Sequence, residues 1–103
     1  MKPCVVPDAA LRDKDSVEML RAWIAEDGLH CTINIGMYEK HEAPEQIAWG
    51  IILSDVARHV ANAMRERYGD NVDRSLAQIR DAFLQELDSP TSATKGGFTS
   101  GAH

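Results

Sequence analysis

The sequence predicts an α+β fold in which an antiparallel β-hairpin packs on two α-helices, in the order ββαα. Two apolar runs around an Asp-Gly pair predict the hairpin, and two stretches with apolar residues at three- and four-residue spacing predict the helices. The 103 residues amount to one domain at most. We expect a flexible segment at 1–15, a single domain at 16–88 and a disordered tail at 89–103, because both ends lack hydrophobic periodicity.

The hairpin is predicted from the stretch "WIAEDGLHCTINIGMYE". Asp27 and Gly28 are expected to be the loop residues of a type I′ turn, in which both residues need positive φ. This placement pairs Ile24 with Cys31, so Cys31 is interpreted as a small hydrophobe on the apolar face. An isolated hairpin is unstable in water. We therefore expect residues 4–6 or a second subunit to extend the sheet.

The first helix is expected from Pro44 to Tyr68, since proline suits the first helical turn and Gly69 supplies a left-handed cap. The second helix is expected from Asp73 to Leu87, before the stop at Ser-Pro. One hydrophobic core should join these helices to the hairpin, with the members Leu20, Ile24, Ile33, Ile35, Trp49, Ile52, Val56, Val60, Ile79 and Phe83.

Self-association is predicted from the first half of the first helix, which is apolar on all sides. Ile47 and Ile51 lie on the side that carries arginines further along the helix. Either another element of the chain or a second copy must cover them. We favour a homodimer, because a domain of this size buries little surface by itself. Its predicted interface consists of Trp23, Ile47 and Ile51.

Charge and composition exclude several classes of protein. The net charge of −5, without a cluster of Lys and Arg, argues against nucleic acid as a partner. No apolar run approaches the ~20 residues of a membrane span, and no signal peptide is recognisable, so we expect a cytoplasmic protein that does not enter membranes. The four histidines and two cysteines are dispersed, and there is no phosphate-binding glycine motif, so we expect no metal and no cofactor.

Two groups of polar residues are candidates for a site. Asp55 and His59 are four residues apart on a helix, where the carboxylate could orient the imidazole as a general base. No nucleophile accompanies them, so no catalytic residue is assigned. Arg21, His30 and Tyr38 share the mixed face of the hairpin with Trp23, and they could line a shallow groove for a small ligand.

The segments "VEMLRAWIAEDGLHCTINIGMYE" and "AWGIILSDVARHVANAM" resemble a small family of bacterial proteins of unknown function. The resemblance covers roughly residues 16 to 68 and includes a short hairpin followed by an "AWG…DVARHVA"-like helix. It implies a compact α+β unit. It carries no catalytic or binding residues that could be transferred to this chain.

These observations favour a small cytoplasmic homodimer that serves as a structural or interaction module without catalysis of its own. The alternative is a small-ligand-binding protein or an enzyme with a polar site around His59, Asp55 and His30. A second copy of the chain is the expected partner. An unidentified protein or small molecule is a further possible partner.

Overall fold

A computed structural model of the chain describes residues 1–100. The elements are α1 (Asp8–Arg12), β1 (Leu20–Ala25), β2 (Gly28–Ile35), α2 (Glu45–Tyr68), α3 (Val72–Asp88) and β3 (Lys95–Ser100). The fold is α+β, as the sequence predicts, with β1 and β2 ahead of the two long helices. The chain divides into two compact units, and each is described by itself. One contains Met1–Lys40 and the segment from Thr94 onward, and the other is His41–Ala93.

The first unit contains a mixed three-stranded sheet with the strand order β1-β2-β3. The central strand β2 is antiparallel to β1 and parallel to β3. A third strand extends the hairpin, as predicted, but Lys95–Ser100 supplies it and residues 4–6 do not. Pairing of the sheet with a second subunit stays a prediction. The strand at Lys95–Ser100 falls in the stretch for which a disordered tail was predicted. The expected flexible N-terminal segment likewise contains the short helix α1.

The turn of the hairpin lies one residue earlier than predicted. Glu26 (φ 49°) and Asp27 (φ 63°) are left-handed, as a type I′ turn requires, and Gly28 becomes the first residue of β2. Ile24 consequently pairs with Leu29, and the predicted pair with Cys31 is wrong. A left-handed glutamate costs only about 1 kcal/mol, which the cross-strand pairs of a whole hairpin can offset.

The division of the hairpin residues between two faces is as predicted, although the turn lies one residue earlier. Moving the turn by one residue shifts each cross-strand partner by two, and side chains alternate with a period of two. The apolar face still carries Leu20, Ala22, Ile24, Leu29, Cys31, Ile33 and Ile35. The strand β3 adds Phe98 to this face, opposite Ile33. The opposite, mixed face is called the polar face below. It carries Arg21, Trp23, His30, Thr32 and Asn34, and β3 adds Lys95 and Thr99 to it.

Close approach of β3 to β2 explains why residue 96 is glycine. Gly96 has φ 132°, and a Cβ atom there would lie 1.8 Å from the carbonyl oxygen of Cys31. A Cβ atom at the neighbouring Gly97 would meet no atom within 4 Å. Only the first of these two glycines is therefore required by the geometry of the sheet.

The two long helices of the second unit begin and end where their caps predict. Pro44 precedes α2, and Gly69 ends it with φ 75° and an N–H that donates to the carbonyl of Arg65 at 2.8 Å. Asn71 caps α3 by accepting a hydrogen bond from the N–H of Arg74 at 2.9 Å. Both helices agree with the predicted bounds to within one residue.

Contact between α2 and α3 uses small side chains. The buried residues of the described part of the chain are Ala61 on α2, fully covered, and Ser75 on α3, 5% exposed. Val56, Val60 and Phe83 were predicted to be buried, yet each is more than two-fifths exposed, and Ile24 of the sheet is 81% exposed. The predicted core is wrong at these positions. The helices meet along the side of α2 that carries Ala61, and not along the side that carries Val56 and Val60.

No helix within residues 1–100 is both long enough and apolar enough to cross a membrane.

Candidate functional site

A polar groove of about 480 Å³ lies on the polar face of the sheet. All three strands contribute to it, because the register places Arg21 of β1 opposite Thr32 of β2, and Asn34 of β2 opposite Thr99 of β3. The side chains of one face point the same way along each strand. The groove is lined by Glu18, Arg21, Thr32, Ile33, Asn34 and Thr99.

The cation of the groove is Arg21, whose guanidinium donates to one oxygen of Glu18. Its Nη2 lies 3.1 Å and its Nε 3.3 Å from Oε2 of Glu18. The two side chains are 51% and 60% exposed, respectively. An exposed pair of this kind is worth about 0–1 kcal/mol, so an anionic ligand can compete for the guanidinium at little cost.

The amide of Asn34 is the unusual group of the groove. Among residues 1–100, its Oδ1 atom is buried and has no hydrogen-bond partner. Its backbone is secured, because the N–H donates to the carbonyl of Met19 at 3.0 Å. A buried acceptor without a partner costs about 1–3 kcal/mol, so the side chain stands in an unfavourable environment on an otherwise well-paired strand.

Three of the predicted ligand-binding and interface residues lie together on the sheet. Arg21, Trp23 and His30 share the polar face, and Trp23 is the direct cross-strand neighbour of His30. Tyr38 follows the end of β2 and belongs to none of the strands. The predicted common face is therefore present for the three strand residues, and a role in binding stays a prediction for all four.

The predicted pairing of Asp55 with His59 is wrong. The carboxylate of Asp55 forms an ion pair with Arg58, three residues further along α2. Asp55, Arg58 and His59 are all exposed. Since arginine offers a guanidinium at an equally reachable helical spacing, it engages the carboxylate that was expected to orient the imidazole.

The predicted interface residues of the helical unit lie on the surface of α2. Ile47 and Ile51 are 53% and 57% exposed. In the same unit, a second groove of about 330 Å³ runs between α2 and α3. It is mostly apolar and is lined by Gly50, Leu53, Ser54, Ala57, Arg58, Leu76, Ile79, Arg80 and Phe83.

Within residues 1–100, no group of three or more His, Cys, Asp and Glu side chains could hold a metal ion. His103 lies outside the described residues. Cys4 and Cys31 are free thiols, and Cys31 is the more buried of the two.

Sequence reasoning missed Asn34 and Thr99 as residues of a groove. The alternation of His30, Thr32 and Asn34 along β2 was a usable signal, because it places three polar side chains on one face. Thr99 gave no such signal, since its segment is rich in Ser, Thr and Gly and reads as a tail.

The family described as "Domain of unknown function (DUF5076)" matches residues 3–91. The chain belongs to this family. The match extends beyond the stretch from 16 to 68 on which the resemblance rested, and it confirms membership in a small family of unknown function.

A solved structure is similar to this chain over most of its length. It is described as the "Structure of a putative pyruvate dehydrogenase from the photosynthetic bacterium Rhodopseudomonas palustrus CGA009". The two are 30% identical, the similarity covers 90% of each chain, and the TM-score is 0.65. No curated protein matches this chain.

Proposed function

We propose that this protein is a cytoplasmic, homodimeric structural or interaction module without catalysis of its own. The observation that carries the proposal is the exposure of Ile47 and Ile51, two isoleucines one helical turn apart that are each more than half exposed. Apolar side chains that stand together on a helix are usually covered by a neighbouring element or a partner.

Exposed apolar side chains are also present on α3 of the helical unit. On α3, Phe83, Leu84 and Leu87 are 48%, 52% and 65% exposed. A helix with an apolar stripe must bury it against another element, and two helices alone leave much of their apolar surface exposed. A second copy would supply another helical pair with the same apolar surface, and a two-fold axis would bring identical patches together.

The free energy gained by covering Ile47 and Ile51 decides how large the interface must be. Fully burying an isoleucine contributes about 1.5–3 kcal/mol, so half-covering the four isoleucines of a dimer contributes about 3–6 kcal/mol. A micromolar dimer needs about 8 kcal/mol. The two isoleucines are therefore proposed as the centre of an interface to which other exposed apolar residues of the helical unit, such as Leu84 and Leu87, must add.

Charge and thiol state fit the rest of the proposal. The net charge of −5 disfavours nucleic acid as the partner. Two cysteines without a disulfide fit a reducing compartment such as the cytoplasm. Trp23, the third residue of the predicted interface, belongs to the sheet unit and is proposed to extend the contact there.

The decisive measurement is the molar mass of the full chain by light scattering, for the wild type and for Ile51→Lys. We expect the wild type to have twice its chain mass of 11.4 kDa. We expect Ile51→Lys to be monomeric, because it removes apolar contact and brings two like charges near the axis. Asn62→Lys is the matched control, since it adds the same charge at an exposed polar position of α2.

A wild-type monomer at high micromolar concentration would contradict the dimer, and so would a dimer of Ile51→Lys. Circular dichroism checks that each variant keeps its helices. If Ile51→Lys does not fold, Ile51→Ser replaces it, because serine removes the apolar surface without adding a charge.

Small-ligand binding is the second candidate function, and the polar groove on the sheet favours it. Its site differs from the predicted one around His59, Asp55 and His30, because Asp55 is engaged by Arg58. Of the predicted ligand residues, Arg21 lines the groove.

A further inference from the structure

We infer that the polar groove binds a small carboxylate that also carries a hydroxyl group, through Arg21 and Asn34. None of the groove residues belongs to the predicted dimer interface of Trp23, Ile47 and Ile51, so the two proposals can be tested separately. The inference rests on the geometry of the groove, on an exchangeable cation and on an amide that lacks a partner.

The size and composition of the groove suit a small polar molecule. Its volume of about 480 Å³ is in the usual range for small-molecule sites. Four of its lining residues offer side-chain groups that donate hydrogen bonds, namely Arg21, Thr32, Asn34 and Thr99. Donors of this kind, close to a cation, recognise the oxygens of an anion.

Arg21 selects for a carboxylate. Its planar guanidinium matches a carboxylate in a bidentate geometry, and it makes such bonds without losing its charge. In the free protein, it satisfies this preference with Glu18, but both hydrogen bonds go to a single oxygen of that residue. A bound carboxylate can accept through two oxygens, so exchanging Glu18 for the ligand improves the geometry.

Asn34 selects for a hydroxyl group. The buried Oδ1 atom lacks a donor within the described chain, and the terminal torsion of asparagine is soft. A ligand hydroxyl in the groove can donate to this oxygen once the amide turns toward it. Binding would thereby relieve a cost that the free protein carries, and this makes the amide a selective element of the site.

The relief of this cost predicts a combination of effects that a purely structural asparagine would not show. Replacing Asn34 by valine removes the unpaired amide and supplies a residue suited to a strand. We expect Asn34→Val to raise the denaturation midpoint and at the same time to weaken the binding of a hydroxy-carboxylate. A structural asparagine would instead lose stability on the same substitution.

The test is a titration of the full chain with D-glycerate, followed by the side-chain NMR signals of Arg21 and Asn34. Propionate lacks the hydroxyl groups and glycerol lacks the carboxylate, so these two compounds separate the two elements of recognition. We expect glycerate to shift both signals at millimolar concentration, and each comparator to bind at least about tenfold more weakly, the factor that 1.4 kcal/mol produces.

Matched variants assign the effects to the two residues. Arg21→Gln should reduce the affinity for glycerate to that for glycerol, since it removes the charge that selects the carboxylate. Asn34→Val should reduce it to that for propionate. Asn62→Val, on an exposed position of α2, should bind glycerate as the wild type does.

The inference is overturned if glycerate shifts neither signal, if all three compounds bind alike, or if Asn34→Val lowers the midpoint of unfolding. Light scattering of the same samples separates this result from the dimer proposal. A protein that is dimeric but does not bind glycerate contradicts only the groove, and a monomeric protein that binds it contradicts only the dimer.

Discussion

The helical pair and the sheet differ in how far apart along the chain their determining residues lie. The bounds of α2 and α3 depend on caps next to each helix, such as Gly69 and Asn71. The third strand of the sheet pairs His30 with Lys95, which are 95 − 30 = 65 residues apart. Local signals can be recognised in sequence, whereas a partner across such a separation leaves no local pattern. The two units should therefore respond differently to substitution.

The largest effect is expected in the sheet, at Gly96. Gly96→Val places a branched side chain at φ 132° and directs its Cβ onto the carbonyl of Cys31. Strain at such a backbone position costs about 1–3 kcal/mol before the clash is counted. We expect a loss of about 3 kcal/mol in the free energy of unfolding by urea, together with faster amide hydrogen exchange throughout β3.

Gly97→Val is the control for this substitution. It adds the same side chain one residue away, where a Cβ atom would meet nothing within 4 Å. It should leave exchange in β3 unchanged. Equal losses for the two variants would show that β3 does not approach β2 as closely as described.

A smaller effect is expected in the helical pair, at the cap of α3. Asn71→Ala removes the acceptor for the N–H of Arg74 and should lower the free energy of unfolding by about 1 kcal/mol. Asn62→Ala, in the interior of α2, should instead gain a few tenths of a kcal/mol from helix propensity. Thermal unfolding followed by circular dichroism distinguishes the two signs, and a loss in both variants would argue against the cap.

The smallest effect is expected at the hairpin turn. Gly28 lies in a strand with no positive φ, so Gly28→Thr should be tolerated or gain up to about 1 kcal/mol. Glu26→Gly should gain about 0.5 kcal/mol, because it removes a left-handed glutamate. If Asp27 and Gly28 formed the turn, Gly28→Thr would instead lose more than about 1 kcal/mol. Urea unfolding of both variants decides between the two placements.

Much of the fold was accessible from the sequence because its signals were local or periodic. The α+β class, the hairpin and both long helices were predicted, and the division of β1 and β2 into two faces was correct although the turn was misplaced. The faces survived because alternation along a strand does not depend on the exact turn residues. The turn itself failed because Asp-Gly and Glu-Asp are adjacent candidates, and the choice between them costs only about 1 kcal/mol.

Features that depend on partners far apart along the chain could not be predicted from the sequence. Phe98 and Thr99 favour a strand, but Gly96 and Gly97 are poor strand formers and no run of four or more alternating residues surrounds them, so the segment does not indicate a strand. The groove could not be predicted because Thr99 belongs to that strand. The competition for Asp55 was missed for a different reason, because helical spacing offered both His59 and Arg58 and only the geometry selects the arginine.

The parallel pairing of β2 with β3 has a consequence for the order of events during synthesis. Parallel neighbours need a long connection, and here the connection contains both long helices. On the ribosome, β1 and β2 emerge before β3, so the edge of β2 that β3 will pair with is still open, and the helical pair can form before that edge finds its partner. The chain thus spends a defined interval as a hairpin with an open edge, a period in which a chaperone or another nascent chain can add to it.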